Sequence, residues 1–443
     1  MAERRYALAS KLFGSGVIAQ ACGFVAIAFA ASRTLPEDFA IFALVTAATA
    51  VLGSVNSLAA ESRVPVVGQR AAEALNRAGF TAIVAFSAVC LAVGAAGMAL
   101  GEVWGQVAML TSWCSFMLGL QHLLVGIVLR TQQQVLLARN RLVQGISNAA
   151  LIVGFILLGI PGYLSLSLAW ALSLLGSNLV LLPRVKGWGP GFRLARREDF
   201  TRLLDQVRWQ PVSNVLSDGV GQIPLLVLPA LGAPAVSGAW ALASRFLTPV
   251  VNMAQITLQP IYYGRAAALL RERDVEGFQT HRRRWSRALA LCGIPVLLGC
   301  VVCLEWLIPL FGPEWSIAGL VLLPACLVFP MALSWLPISQ TLILTGHLRS
   351  QFLWTVAQFT LSAAVFAMVP LGLWQAQDAL LAWAVVSAGS MLVHRLMQRR
   401  APLLDRLAAD VMESAEPAAP SPQEAGTDAA QQRGATGREP GRG

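Results

Sequence analysis

Twelve uncharged or nearly uncharged stretches of about twenty residues run through this chain, and they dictate what it can fold into. They lie at 12–31, 39–60, 79–101, 106–129, 144–164, 165–183, 209–231, 234–260, 288–310, 317–344, 352–372 and 377–394. At 1.5 Å of rise per residue, each is as long as a helix must be to cross the hydrocarbon of a bilayer. Only helices and closed barrels satisfy every backbone amide in lipid, and runs of this length specify helices. The fold class expected is therefore an all-α polytopic membrane protein. Composition agrees: 56% of the 443 residues are hydrophobic and 13% are charged, with mean hydropathy +0.62, against roughly a quarter charged in soluble domains.

The net charge of +10 would raise nucleic acid as a partner on a soluble chain, but here its placement points elsewhere. With the N-terminus in the cytoplasm, all of the 33 Lys and Arg except Arg33 and Arg245 fall in the N-terminal segment, the even-numbered loops and the C-terminal tail. Under the positive-inside rule this predicts an N-in, C-in protein. The basic loop with arginines at 265, 271, 273, 282, 283, 284 and 287 reads as a cytoplasmic helix against anionic headgroups, each cation contributing about 1 kcal/mol there. Membrane lipids are thus expected partners and nucleic acid is not. The basic N-terminus before the first apolar run is expected to be a retained helix, since no small-residue cleavage site precedes Arg33.

The break from Pro183 to Val207 divides six spans from six. The domains expected are a first lobe over 1–183, a basic cytoplasmic linker over 184–207, a second lobe over 208–398, and a tail over 399–443 that is disordered from about 413. Even numbers of spans give both lobes the same orientation, so any repeat is of the parallel kind. One is legible: Pro36, Ala40, Phe42, Ala43 and Leu44 match Pro234, Gly238, Trp240, Ala241 and Leu242, each displaced by 198 residues.

A charge at the bilayer centre costs about 2.5–3.5 kcal/mol, so it usually faces a cavity or a partner. Asp218, about halfway along span seven, and Arg245, at similar depth in span eight, are the two clear cases. Around them Asn214, Asp218 and Gln222 recur every four residues, and Arg245, Thr248, Asn252, Gln255 and Gln259 follow a 3, 4, 3, 4 spacing; each set occupies one helix face. Two such stripes on adjacent spans fit a water-filled cavity, although Asn and Gln also serve as interhelical glue. Span two carries a milder stripe of Thr46, Thr49, Gly53 and Asn56, for which close helix packing is an equal reading. Arg245 is expected either to pair with Asp218 or to face a bound molecule. His122 receives no role, and all seven cysteines fall in apolar stretches as packing residues, Cys300 and Cys303 included. No metal or cofactor is expected. The outer loops are short and poor in ionisable residues, which argues against an extracytoplasmic enzyme such as a polymerase or ligase of lipid-linked glycans.

The segment Ala31-Ser32-Arg33-Thr34-Leu35-Pro36-Glu37-Asp38-Phe39-Ala40-Ile41-Phe42, the segment from Leu231-Gly232 through Gly238-Ala239-Trp240-Ala241-Leu242-Ala243-Ser244-Arg245, and the twelve spans in two like-oriented halves together resemble the polysaccharide flippases. These belong to the multidrug, oligosaccharidyl-lipid and polysaccharide exporter superfamily. The resemblance implies two six-helix lobes that rock about a central cavity lined by spans one, two, seven and eight, in a bacterial inner membrane. It implies as cargo an undecaprenyl-diphosphate-linked oligosaccharide, with other polysaccharide-assembly membrane proteins as further partners. Arg245 would then attract the diphosphate or an acidic sugar, and Asn252, Gln255 and Gln259 would hydrogen-bond glycan hydroxyls, while Asp218, Asn214, Gln222, Thr248 and Asn56 would complete the cavity. Ala40 and Trp240 depart from the usual Gly and Tyr of the family. Relatives that move peptidoglycan precursor carry arginines in the first two spans and two extra helices, neither of which is evident here. A cation-coupled small-molecule antiporter of the same superfamily is the alternative reading; Asp218 is the acid it would use.

Overall fold

The computed structural model describes residues 2–413, except 65, 66, 68, 101, 102, 132, 133, 185–191, 208, 209, 273, 340, 345 and 346. The expected disorder beyond 413 lies outside the described residues. The first half contains α1 (Ala2–Ala31), α2 (Pro36–Asn56), the short α3 (Ala60–Arg63), α4 (Gln69–Ala99), α5 (Val103–Arg130), α6 (Gln134–Leu157) and α7 (Gly162–Leu181). A connecting helix, α8 (Arg197–Val207), follows. The second half contains α9 (Gln210–Val227), α10 (Pro234–Arg271), α11 (Val275–Val301), α12 (Gly319–Trp335), the single turn α13 (Thr341–Leu344), α14 (Leu348–Ala367) and α15 (Ala376–Glu413). Among the described residues a helix thus lies in or close to each of the twelve apolar stretches, and the chain is a polytopic all-α membrane protein of two like-oriented six-helix lobes. The described residues up to Arg395 pack as one unit.

Among the described residues, eight helices are long and apolar enough to span by those criteria alone. The apolar part of α1, Gly16–Ala31, is shorter. Helices α9, α10 and α14 carry the polar residues that dilute their hydropathy: Asp218, Arg245 and Arg349 with their Asn and Gln neighbours.

The boundary between spans five and six differs from the expected one. Span five begins at Val135 rather than 144, and the turn falls at 158–161, where Gly159 takes φ +76° and Pro161 caps α7. Glycine alone adopts that backbone without cost, and proline cannot continue a helix behind it. Asn140, expected in the loop, therefore lies inside a membrane helix, and Gln144, expected at its first position, lies well within it. There Gln121 Nε2 donates to Asn140 Oδ1 at 3.1 Å and Gln144 Oε1 at 3.3 Å, and Asn140 Nδ2 donates to the Ser177 carbonyl at 2.7 Å. This network ties α5, α6 and α7 together, as polar groups must when lipid offers no partners.

The connecting helix is fastened to the first half. Asp199 accepts from Arg77 Nε at 3.0 Å and Nη2 at 2.8 Å, a bidentate pair, while Thr81 Oγ1 accepts from the Ala195 amide at 2.7 Å. Leu203 is fully buried beside α3, α4 and α5, and Phe192 meets Phe80 edge-on at 5.7 Å. The Arg77 hydrogen bonds hold the Asp199 carboxyl below the usual carboxylate range, aided by the Arg196 amide and opposed by desolvation. A carboxyl whose pKa is depressed on docking contributes above its free value, about 4, and loses that contribution as pH falls through the docked value. Asp199→Asn is expected to cost the docked helix about 1.5–3 kcal/mol. Hydrogen exchange of α8 should report this at neutral pH, and the wild-type acid dependence should vanish in the variant.

Candidate functional site

Helices α2 and α10 begin alike. Pro36 and Pro234 each occupy the first helical position, where a missing N–H costs nothing. Asp38 accepts from the Leu35 amide at 3.4 Å and from the Tyr163 amide at 3.2 Å, so it caps α2 and holds the start of α7. The two starts then meet: a Cβ placed on Gly238 would lie 1.8 Å from the Pro36 carbonyl oxygen. Only glycine permits this approach. Around it Trp315, fully buried, donates from Nε1 to the Ala31 carbonyl at 3.0 Å and meets Phe39 edge-on at 5.4 Å, while Phe24 stacks on Phe246 at 5.3 Å.

At this end one apolar core runs through both lobes, from Phe39 and Phe42 to Leu242, Phe246 and Trp315. Toward the opposite ends of these helices the described cores divide. One is built around Leu75, Leu123 and Ile127 in the first lobe, and another around Tyr262, Phe278 and Leu289 in the second. The lobes are thus welded at the end where α2 and α10 begin, and each has its own core at the other.

Arg245 lies below the weld, and its guanidinium crosses to the first lobe. Nη2 donates to Thr46 Oγ1 at 2.9 Å, and Cζ sits 4.5 Å from the centre of the Phe42 ring. Both are contacts a half-buried cation accepts, one a hydrogen bond and the other the negative face of an aromatic ring. Among the described residues its partners are on α2 and not on α9: Arg245 takes Thr46 and Phe42 rather than Asp218. One hydrogen bond leaves most of the five guanidinium donors available.

Asp218 is exposed about halfway along α9, with Asn214 and Gln222 half-buried on the same strip. On α10, Asn252 is exposed and Thr248 and Gln259 are half-buried; the Gln255 side chain lies outside the described ones. Exposed polar side chains in mid-helix take protein or water partners, because lipid offers them none. The α2 stripe splits. Thr46 faces Arg245, whereas Asn56 is fully buried and donates from Nδ2 to the Ser115 carbonyl at 3.1 Å, and Gly53 faces Leu118. Asn56 and Gly53 thus pack against α5 inside the first lobe, and the structure does not bring Asn56 to Arg245.

Two residues outside the expected set stand out. Phe42, read as part of a repeat and of the family-like segment but not as a site residue, carries the cation contact. His394 is fully buried in the second lobe: its Nδ1 accepts from Trp335 Nε1 at 2.8 Å, its Nε2 lies 2.6 Å from Gln351 Oε1, and its ring packs 4.2 Å from that of Trp354. These contacts join α12, α14 and α15. No signal in the sequence singles it out, because its partners come from two other helices.

No family profile and no curated protein matches the sequence. Solved structures do match in fold. That of the lipid II flippase MurJ in an inward closed conformation aligns with TM-score 0.66 at 14% identity, covering 94% of this chain and 94% of that one. A transporter of the MOP superfamily from Pyrococcus furiosus aligns at 0.59 with 15% identity over 89% and 95% of the two chains. An inward-facing multidrug resistance transporter of the MATE family, in the same superfamily, aligns at 0.57 with 15% identity over 90% and 96%. Across nearly its whole membrane part, this chain has the fold of the MOP superfamily transporters.

Proposed function

We propose that the protein is a flippase that carries an undecaprenyl-diphosphate-linked oligosaccharide from the cytoplasmic to the outer leaflet of a bacterial inner membrane by alternating access. In this reading the N- and C-termini are cytoplasmic, the weld at Gly238 closes the outer side, and the separated lobe cores face the cytoplasm. The domain limits are those of the sequence, with 1–183 and 208–398 as the rocking lobes. The observation that carries the reading is Arg245, a cation reaching across the lobe interface with donors to spare, flanked by the accessible polar strips of α9 and α10. A diphosphate offers negative charge to the Arg245 guanidinium, and a low-dielectric seam strengthens the attraction. Lipid-linked glycan is the partner, together with other membrane proteins of polysaccharide assembly.

The test is direct. Purified protein in proteoliposomes should move fluorescent polyisoprenyl-diphosphate oligosaccharide between leaflets, read as the fraction protected from an external reductant. Cargo that stays protected as in protein-free vesicles sinks the reading. One observation favours a second reading, cation-coupled antiport of small molecules: Asp218 is exposed in mid-helix, where a coupling ion could bind. Dye movement driven by a cation gradient and abolished by Asp218→Asn would support it.

A further inference from the structure

Resting on that reading, we infer that the lipid tail of the cargo lies in an apolar crevice between α2, α9 and α14, separate from the polar seam that takes the head. The crevice has a volume of about 460 Å³, within the range of about 300–1,000 Å³ typical of sites for small molecules. Val215, Gly219 and Ile223 on α9 form one wall, Val51 on α2 another, and Phe359 and Ala363 on α14 a third. Every lining residue is apolar. Ile223 and Phe366 on its floor are buried, whereas Ala363, Ala367 and Pro370 on its rim are exposed.

The occupant follows from α9. Val215, Gly219 and Ile223 each stand one residue after Asn214, Asp218 and Gln222, which rotates their strip by about 100° from the polar one. One helix thereby presents a polar strip and, beside it at the same depths, a purely apolar slot. A cargo with an anionic, hydroxylated head joined directly to a hydrocarbon chain has the same division. Val51 also sits little more than a turn beyond Thr46 on α2, so the slot lies close to the Arg245 contact. Gly219 and Ala363 keep the slot open; a Cβ on Gly219 would already stand 3.0 Å from the Phe359 ring. A polyisoprenoid tail, wholly apolar and bearing only methyl branches, fills such a slot with a few of its units.

The test uses the full chain in proteoliposomes with two cargoes bearing the same head, one on a long polyisoprenoid and one on a farnesyl-length chain too short to hold both slot and head. Ala363→Trp and Ala367→Trp fill the slot from its exposed rim, where added bulk spares the core. A tail can no longer enter a slot already filled by a side chain, so both variants should slow the long-chain cargo about tenfold or more relative to wild type while the short-chain cargo moves at the wild-type rate. A diazirine on the long tail should label the 359–370 segment in wild type, with little loss when excess phospholipid is added. Unchanged long-chain rates, equal slowing of both cargoes, or labelling that phospholipid competes away would each overturn the inference. In all three cases wild type still moves cargo, so the flippase reading survives; if wild type moves neither cargo, that reading falls first.

Discussion

Arg245→Gln is expected to reduce translocation of lipid-linked oligosaccharide about a hundredfold with little loss of folding stability. Truncating one member of a desolvated, hydrogen-bonded charge pair costs about 2–5 kcal/mol, and in this seam the second member arrives with the cargo. The protein's own losses are smaller: one hydrogen bond to Thr46 and a ring contact with Phe42, together about 1–2 kcal/mol. Arg245→Lys keeps the charge but not the planar fork, so it should recover only part of the rate. Thr46→Val separates the two roles. If Arg245 serves the lobe interface alone, Thr46→Val and Arg245→Gln should be alike in both stability and transport. If it serves the cargo, Thr46→Val should transport almost normally. Near-wild-type transport by Arg245→Gln would remove Arg245 from the site.

Gly238→Ala should have an effect of comparable size by a different route. The added methyl meets a carbonyl oxygen, Pro36 O, at 1.8 Å, and backbone cannot swing aside as a flexible side chain would. Helices α2 and α10 must separate there. Overpacking costs about 1–3 kcal/mol and acts only on the state in which this end is welded, so the population should shift tenfold or more toward the state open at that end. A cysteine placed at Ala31, which is fully buried beside Trp315, in a background with the seven native cysteines replaced, reports the shift. A membrane-impermeant maleimide should label it slowly while Gly238 is retained and rapidly once Gly238→Ala is added. Equal labelling would mean that the contact does not hold the end closed.

Much of this architecture is legible in the sequence. Span length and the arginine distribution locate all twelve helices, because lipid enforces a minimum length and penalises charge wherever it occurs. The proline at the first position of α2 and of α10 marks the repeat, since only a helix start accommodates it. What periodicity does not supply is which neighbour a helix face meets. Spacing confines the α10 stripe to one face of the helix, but whether Arg245 reaches toward α9 or α2 depends on lobe packing, and the geometry selects Thr46. Asn56 follows the 3, 4, 3 spacing of Thr46, Thr49 and Gly53, yet α2 is covered by other helices along its length, and its lower end turns Gly53 and Asn56 into α5. The span five boundary falls earlier than the sequence suggests because Asn140 and Arg141 resemble loop chemistry; Gln121 and Ser177, from other helices, make Asn140 tolerable in a membrane.

The fastening of α8 has a bearing on how the two lobes could be separated as pieces. Leu203 and the Asp199 carboxylate are committed to the first lobe, and two residues in the sequence, Arg208 and Trp209, stand between α8 and α9. A gene cut after codon 207 would give a first fragment that retains its own clasp and a second that begins at a helix. A cut inside the long polar break, which the sequence alone would suggest, would leave the clasp on the wrong fragment and a bare greasy groove on the other. In chain length, two residues rather than two dozen therefore separate the last helix docked on the first lobe from the first helix of the second.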